Sequence, residues 1–216
     1  NQLEVENLNE INREFSRLNE HILSANINYQ HDFAFGDFTP TLKMGGYTEY
    51  RTREYNTRLF IYSWKNGLPS NYRVMNVPDE LMQDKNYGED KLYLLEQVDW
   101  RNNYEGNNML GAGYAGVNLP FGKWNIYAGV RFEHSRMELI SNTQKNEKSP
   151  TSVYYTYDDF FPSLNAAYRL NEQHQFRLSY GRTVNRPEFR EVSSSVYYDF
   201  DLASNVQGNY DLKAAY

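Results

Sequence analysis

The stretch MLGAGYAGVNLPFGKWNIYAGVRFEHSRMELIS, residues 109–141, decides the fold class. Ala115, Val117 and Leu119 lead into Pro120-Phe121-Gly122-Lys123, and Trp124, Ile126, Ala128, Val130 and Phe132 lead out of it. Asn125, Tyr127, Arg131 and Glu133 fill the alternate positions. A period of two rather than 3.6 means strands with one apolar face, and a short glycine-bearing connection between two such runs means a hairpin.

The same reading extends in both directions. Leu23, Ala25, Ile27, Tyr29, Phe33 and Phe35 share a face opposite Ser24, Asn26, Asn28, Gln30 and Asp32, and Gly36-Asp37 reads as a tight turn. Leu42 and Met44 then take the apolar side, against Lys43, Tyr47, Glu49, Arg51 and Arg53, in a strand reaching as far as Trp64. Downstream, Pro162, Leu164, Ala166, Tyr168 and Leu170 go in, Asn171-Glu172-Gln173-His174 reverses the chain, and Phe176, Leu178 and Tyr180 come out. Ser163, Asn165, Arg169, Arg177 and Ser179 form the other face. Arg182 falls on the apolar side, out of pattern, near a strand end from which it can reach an interface.

The expected strands, 22–35, 105–119, 124–141, 154–170 and 174–190, run past the ~5–6 residues usual in soluble sheets and past the ~9–11 that cross a bilayer. Connections at 36–37, 120–123 and 171–174 are tight, and those at about 65–90, 142–152 and from 190 onward are long and polar. Alternating short and long connections in a meander put all the turns at one end and all the loops at the other. That is the asymmetry of outer-membrane barrels, which a Greek-key sandwich has no reason to share. The fold class expected is therefore all-β, an antiparallel up-and-down transmembrane β-barrel, with this chain a partial arc of about six long strands. Residues 1–21 are expected to be loop or strand-leading segment, 22–190 barrel hairpins, and 191–216 an extracellular loop with the start of a next strand.

Composition excludes several alternatives. Aromatics make up 16% of the 216 residues, twenty of them Tyr, and the mean hydropathy of -0.82 leaves no apolar run for a membrane helix. A barrel is untouched by that test, because alternating strands average out. The net charge of -6 gives no basic stripe for nucleic acid, and zero Cys removes disulfides, thiolate nucleophiles and cysteine zinc sites. The chain opens at Asn1 with neither Met nor leader features, and is expected to be a piece of something longer.

No constellation points to catalysis, a metal or a cofactor. Gly111-Ala112-Gly113-Tyr114-Ala115-Gly116 matches a dinucleotide fingerprint, but it sits inside a strand leading to a hairpin instead of a strand-to-helix turn. Small residues there are expected to mark a bend or a close approach to the wall. His21, His31, His134 and His174 lie on separate segments without metal spacing. Asp158-Asp159 and Glu89-Asp90 are adjacent acids whose strand neighbours point apart, and Ser193-Ser194-Ser195 lacks nucleophile-elbow glycines.

In a barrel the alternation assigns faces. Ile27, Leu42, Val117, Trp124, Ile126, Val130, Phe132, Leu164, Tyr168, Phe176 and Leu178 are expected to face lipid. Lys43, Glu49, Arg51, Asn125, Tyr127, Arg131, Glu133, Asn165, Arg169 and Arg177 are expected to face the lumen. Tyr154, Tyr155, Tyr157, Tyr197, Tyr198 and Phe200, with Phe160 and Phe161 beside them, stand at long-loop ends, as an aromatic girdle or as extracellular ligand contacts.

Phe161-Pro162-Ser163-Leu164-Asn165, Phe176-Arg177-Leu178-Ser179-Tyr180, Asn185-Arg186-Pro187-Glu188-Phe189, and Gly208-Asn209 with Asp211-Leu212 follow one another in an order and spacing that resembles the barrel of TonB-dependent outer-membrane receptors of the Bacteroidota. The likeness is specific over 160–212, with Tyr210 where that family usually has Pro, and looser over 22–141, where Asn125–Arg131 resembles a typical barrel strand. The resemblance implies a 22-stranded barrel around an N-terminal plug and import of a large nutrient, a siderophore, cobalamin, glycan or peptide, energised by TonB. It implies as partners outer-membrane lipid, the remaining barrel and plug, the TonB complex, the nutrient and a surface lipoprotein, with localisation in the outer membrane. Two rival readings are a soluble aromatic-rich β-domain that grips carbohydrate and a small self-contained porin-like barrel.

Overall fold

The computed structural model describes residues 3–4, 12–65, 74–75, 80–199 and 201–216. Strands run in chain order as β1 (Leu3–Glu4), β2 (Asn12–Asp32), β3 (Thr41–Trp64), β4 (Val74–Met75), β5 (Leu92–Gln97), β6 (Tyr104–Phe121), β7 (Trp124–Asn142), β8 (Pro150–Arg169), β9 (Gln175–Gly181), β10 (Val196–Asp199) and β11 (Ser204–Gln207). Short 3₁₀ turns at Asp84–Asn86 and Trp100–Asn102 punctuate the connection from β3 to β6.

β2, β3, β6, β7, β8 and β9 pair in sequence order as an antiparallel half-barrel of six strands, the first five 18–24 residues long and β9 only seven. β5 takes up the edge of β3 beyond the point where β6 leaves it, pairing Leu59–Trp64 with Gln97–Leu92. β1 with β4, and β10 with β11, form two small separate ladders.

The turns have local causes. Gly36 and Gly122, at φ of 67° and 55°, each stand first in a two-residue reversal whose second residue, Asp37 or Lys123, keeps negative φ. Glycine is what that left-handed first position calls for in a hairpin. At the third turn the Asn171 side chain accepts from the amides of Gln173 and His174 at 3.0 and 2.8 Å, closing the reversal without a glycine.

Register fixes which side chains share a face, because directly opposed residues of an antiparallel pair point the same way. One row joins Tyr29, Met44, Ala115, Val130 and Pro162, and others join Ile126, Ala166 and Leu178, or Phe121, Trp124, Tyr168 and Phe176. On this face β7 is apolar from Trp124 to Phe132 and β8 from Phe160 to Tyr168. Such a run measures ~27 Å along a strand at ~3.4 Å per residue. Tilted by ~40° it spans ~21 Å of bilayer depth, most of the ~25 Å apolar band of an outer-membrane barrel.

Beyond His134 the phase inverts. Arg136 and Glu138 now occupy the formerly apolar face, while Met137 and Leu139 on the other face are buried. The strands thus have a half next to the tight turns that is apolar on one face, and a half toward the long connections whose apolar residues lie on the other face.

Two expected boundaries are corrected. Residues 12–21, expected to be loop or strand-leading segment, are strand: Leu18 lies on the same face as Ile22, while Arg17, Asn19 and His21 take the other, so the pattern that identifies 23–29 is reversed here. The strand expected over 174–190 ends at Gly181, where Arg182 leaves the sheet and places its guanidinium 4.2 Å from the Tyr216 ring centre. That contact accounts for its position out of pattern.

Candidate functional site

After β9 the chain folds back over the polar face of the sheet, and residues 185–196 pack against β6, β7 and β8. Phe189 and Val192 are fully buried in one cluster with Tyr104 of β6 and Met137 and Leu139 of β7, flanked by Tyr55, Tyr155 and Tyr210. Gly106 makes the niche for Phe189, since any Cβ there would collide with the Phe189 ring. Polar pins surround the cluster. Ser194 Oγ donates within reach of the Asn142 and Arg101 carbonyls, at 2.8 and 3.0 Å, the Val196 amide donates to Asn102, and the Tyr155 hydroxyl donates to the Tyr210 carbonyl. The buried Ser193-Ser194-Ser195 run is part of this docking surface.

Charge is organised around the same segment. Arg186 reaches Glu133 on β7 and Asp159 on β8, each at 2.8 Å, with the Tyr157 and Phe161 rings 5.7 and 6.0 Å from its guanidinium. Tyr216 donates to the second oxygen of Asp159, and Arg131 bonds Glu133 at 2.7 Å. On β3, Arg53 is held by Glu20 of β2, and Arg51 and Arg53 both approach Glu188. In the neighbouring connection burial of Asp99 disfavours its charge, but hydrogen bonds from the Arg101 side chain and amide prevail and hold its carboxyl below the usual range.

The residues expected on opposite sides of the wall do fall on opposite faces of the sheet. Ile27, Leu42, Val117, Trp124, Ile126, Val130, Phe132, Leu164, Tyr168, Phe176 and Leu178 occupy one, and Lys43, Glu49, Arg51, Asn125, Tyr127, Arg131, Glu133, Asn165, Arg169 and Arg177 the other. The polar set does not converge. Arg51, Arg131 and Glu133 belong to the network around the folded-back segment, whereas Arg169 and Arg177 sit at the tight-turn end, where Arg177 bonds Gln175.

The aromatic set is divided. Tyr154 stays outside, donating to Glu138. Tyr155 and Tyr157 point to the polar face, where Tyr155 bonds the Tyr210 carbonyl and the Tyr157 ring lies 5.7 Å from the Arg186 guanidinium. Tyr197 stacks under Arg190, 3.7 Å from its guanidinium, and Phe200 lies outside the described residues. An aromatic row on the apolar face stands at the turn end, where Trp124 and Tyr168 pack at 4.7 Å beside Phe121 and Phe176.

The Gly111–Gly116 run lies inside β6, as its context requires. Of its glycines only Gly116 is closely covered, by the Tyr127 hydroxyl, which also covers Gly129; Tyr114 of the same run lies against Gly45 beside the Ile27 carbonyl. Reading the sequence missed Glu188, Phe189 and Arg186 as wall-binding residues, although Asn185-Arg186-Pro187-Glu188-Phe189 stood out as a motif. A loop departing from a strand gives no local hint that it will turn back.

A half-barrel whose strands carry a bilayer-sized apolar band on one face and a charged network on the other is a segment of membrane β-barrel wall. The model of the outer membrane protein beta-barrel family matches residues 1–216, and the chain belongs to that family. A search of curated proteins returned no match. Family membership places the chain in the outer membrane, in contact with its lipid.

Proposed function

We propose that the chain is part of the barrel of a TonB-dependent receptor that imports a large nutrient and catalyses no reaction. In this reading the apolar face meets lipid, the polar face lines the passage, the tight turns are periplasmic and the long connections extracellular. The observation that carries it is the folded-back segment, which lies on the polar face as a lumen-filling element would and leaves less room for an open aqueous pore. The four motifs over 160–212 support it, since they resemble that receptor class in order and spacing. The sheet adds support, because among the described residues β2 and β9 each have one edge without a partner. Backbone groups at such edges have no water in hydrocarbon, so they call for further strands and a wide barrel.

The test is electrical. The full-length protein in planar bilayers with potassium chloride should show no steady conductance, because a plugged receptor passes ions only when TonB acts on it. A steady conductance independent of TonB would replace this reading with the porin-like one.

A further inference from the structure

The Glu188 carboxylate rests between two guanidiniums that it satisfies poorly. Its Oε2 lies 3.3 Å from Arg51 and 3.8 Å from Arg53, and its Oε1 is 3.5 Å from Arg51. Charge-assisted N–H···O contacts normally close to ~2.7–2.9 Å, so these are loose. Arg53 has its own partner in Glu20, whereas Arg51 has no carboxylate besides Glu188 among the described residues, and its Nε is buried without a hydrogen bond. Both arginine side chains are well covered, 18% and 17% exposed, while that of Glu188 is 51% exposed.

The seat is built from below. The Phe189 ring lies 4.9 Å from the Arg51 guanidinium and 5.5 Å from that of Arg53, and Phe189 is itself locked against Gly106. The arginines are thereby positioned independently of Glu188. Moving the Glu188 carboxylate aside needs rotation of one half-exposed side chain and no movement of the backbone. What it would uncover is a two-guanidinium fork with one net positive charge, once Glu20 is counted against Arg53.

We propose that Arg51 and Arg53 form an anion seat on the polar face for a carboxylate-bearing ligand, and that Glu188 occupies it as an internal stand-in until such a ligand displaces it. This rests on the reading of the polar face as the lining of a passage. It is tested by equilibrium binding, which requires neither TonB nor transport, so a failed seat and a failed transport reading give different results.

The probe is citrate, titrated calorimetrically into the purified full-length protein at constant ionic strength, with heat-modifiable migration as the check on folding. Glu188→Gln removes the internal competitor and should tighten citrate binding by about threefold or more, while Arg51→Gln should weaken it about tenfold, a single strong contact's worth. Arg51→Lys, which keeps the charge and loses the fork, should fall between, and stands in if Arg51→Gln fails to fold. Arg177→Gln, an equal charge change at the turn end, should leave citrate binding unaltered. The proposal is overturned if Glu188→Gln binds citrate no better than wild type, if Arg51→Gln and Arg177→Gln weaken it equally, or if no variant binds citrate at all. A merely structural Glu188 would give no gain in affinity.

Discussion

Phe189→Ala is expected to release residues 185–195 from the wall, at a cost of about 3–5 kcal/mol for emptying a fully buried phenyl site. The ring fills the niche at Gly106 and joins Tyr104, Met137, Leu139 and Val192 in one buried apolar cluster. Hydrogen exchange reads the effect directly. The amides of Ser193 and Asn209, which bond the Arg190 and Glu191 carbonyls, should exchange about 10²- to 10³-fold faster, at ~1.4 kcal/mol per factor of ten. Amides in the middle of β7 and β8 should be unchanged. Gly106→Val should do the same from the other side, since its side chain would occupy the space of the ring. Unchanged exchange at Ser193 and Asn209 would show that something else holds the segment.

The second large effect belongs to the apolar face. Val130 stands in the middle of the band, opposed by Ala115 on one side and Pro162 on the other. Val130→Arg should cost ~2–4 kcal/mol, the range for a cation near the bilayer midplane. The readout is the urea midpoint for refolding of the full-length protein into lipid vesicles. Arg131→Ala, one residue away, should cost less than ~1 kcal/mol, because Glu133 keeps Arg186 as a partner and no charge enters lipid. Reversed sizes would reverse the assignment of faces.

How much of this could be read from the sequence follows the membrane. In the half near the tight turns, apolar residues face one way only, so Trp124–Phe132 and its counterparts announce strand, face and turn together. Past His134 the exterior is expected to meet water and the interior has a core, so Met137 and Leu139 carry the alternation in the opposite phase. The same inversion at Leu18 and Ile22 hid the first half of β2. It was nonetheless present in the sequence as a switch of apolar residues from even to odd positions along β7. The placement of Tyr155 and Tyr157 was also available, since strand neighbours of an outward Tyr154 must point inward.

The folded-back segment was not legible in that way. Arg186 bonds residues 53 and 27 positions away, and Phe189 docks on a glycine in β6, so its location depends on contacts that no local pattern encodes. Only the presence of a motif, Asn185–Phe189, was visible, without what it touches. Where a strand ends and a loop turns back is set by that docking, which is why the strand expected to 190 stops at Gly181.

The most direct test of the central claim is an accessibility scan along β7. These residues contain no cysteine, so single cysteines can be placed at each position from Trp124 to Glu133, spin-labelled, and returned to lipid vesicles with the full-length protein. Strict alternation is expected. Labels at 124, 126, 128, 130 and 132 should be relaxed by oxygen dissolved in the bilayer, and labels at 125, 127, 129, 131 and 133 by a water-soluble nickel chelate or by neither reagent. Uniform access of the nickel chelate to both sets, or an alternation of opposite phase with Arg131 in the oxygen-rich layer, would contradict it.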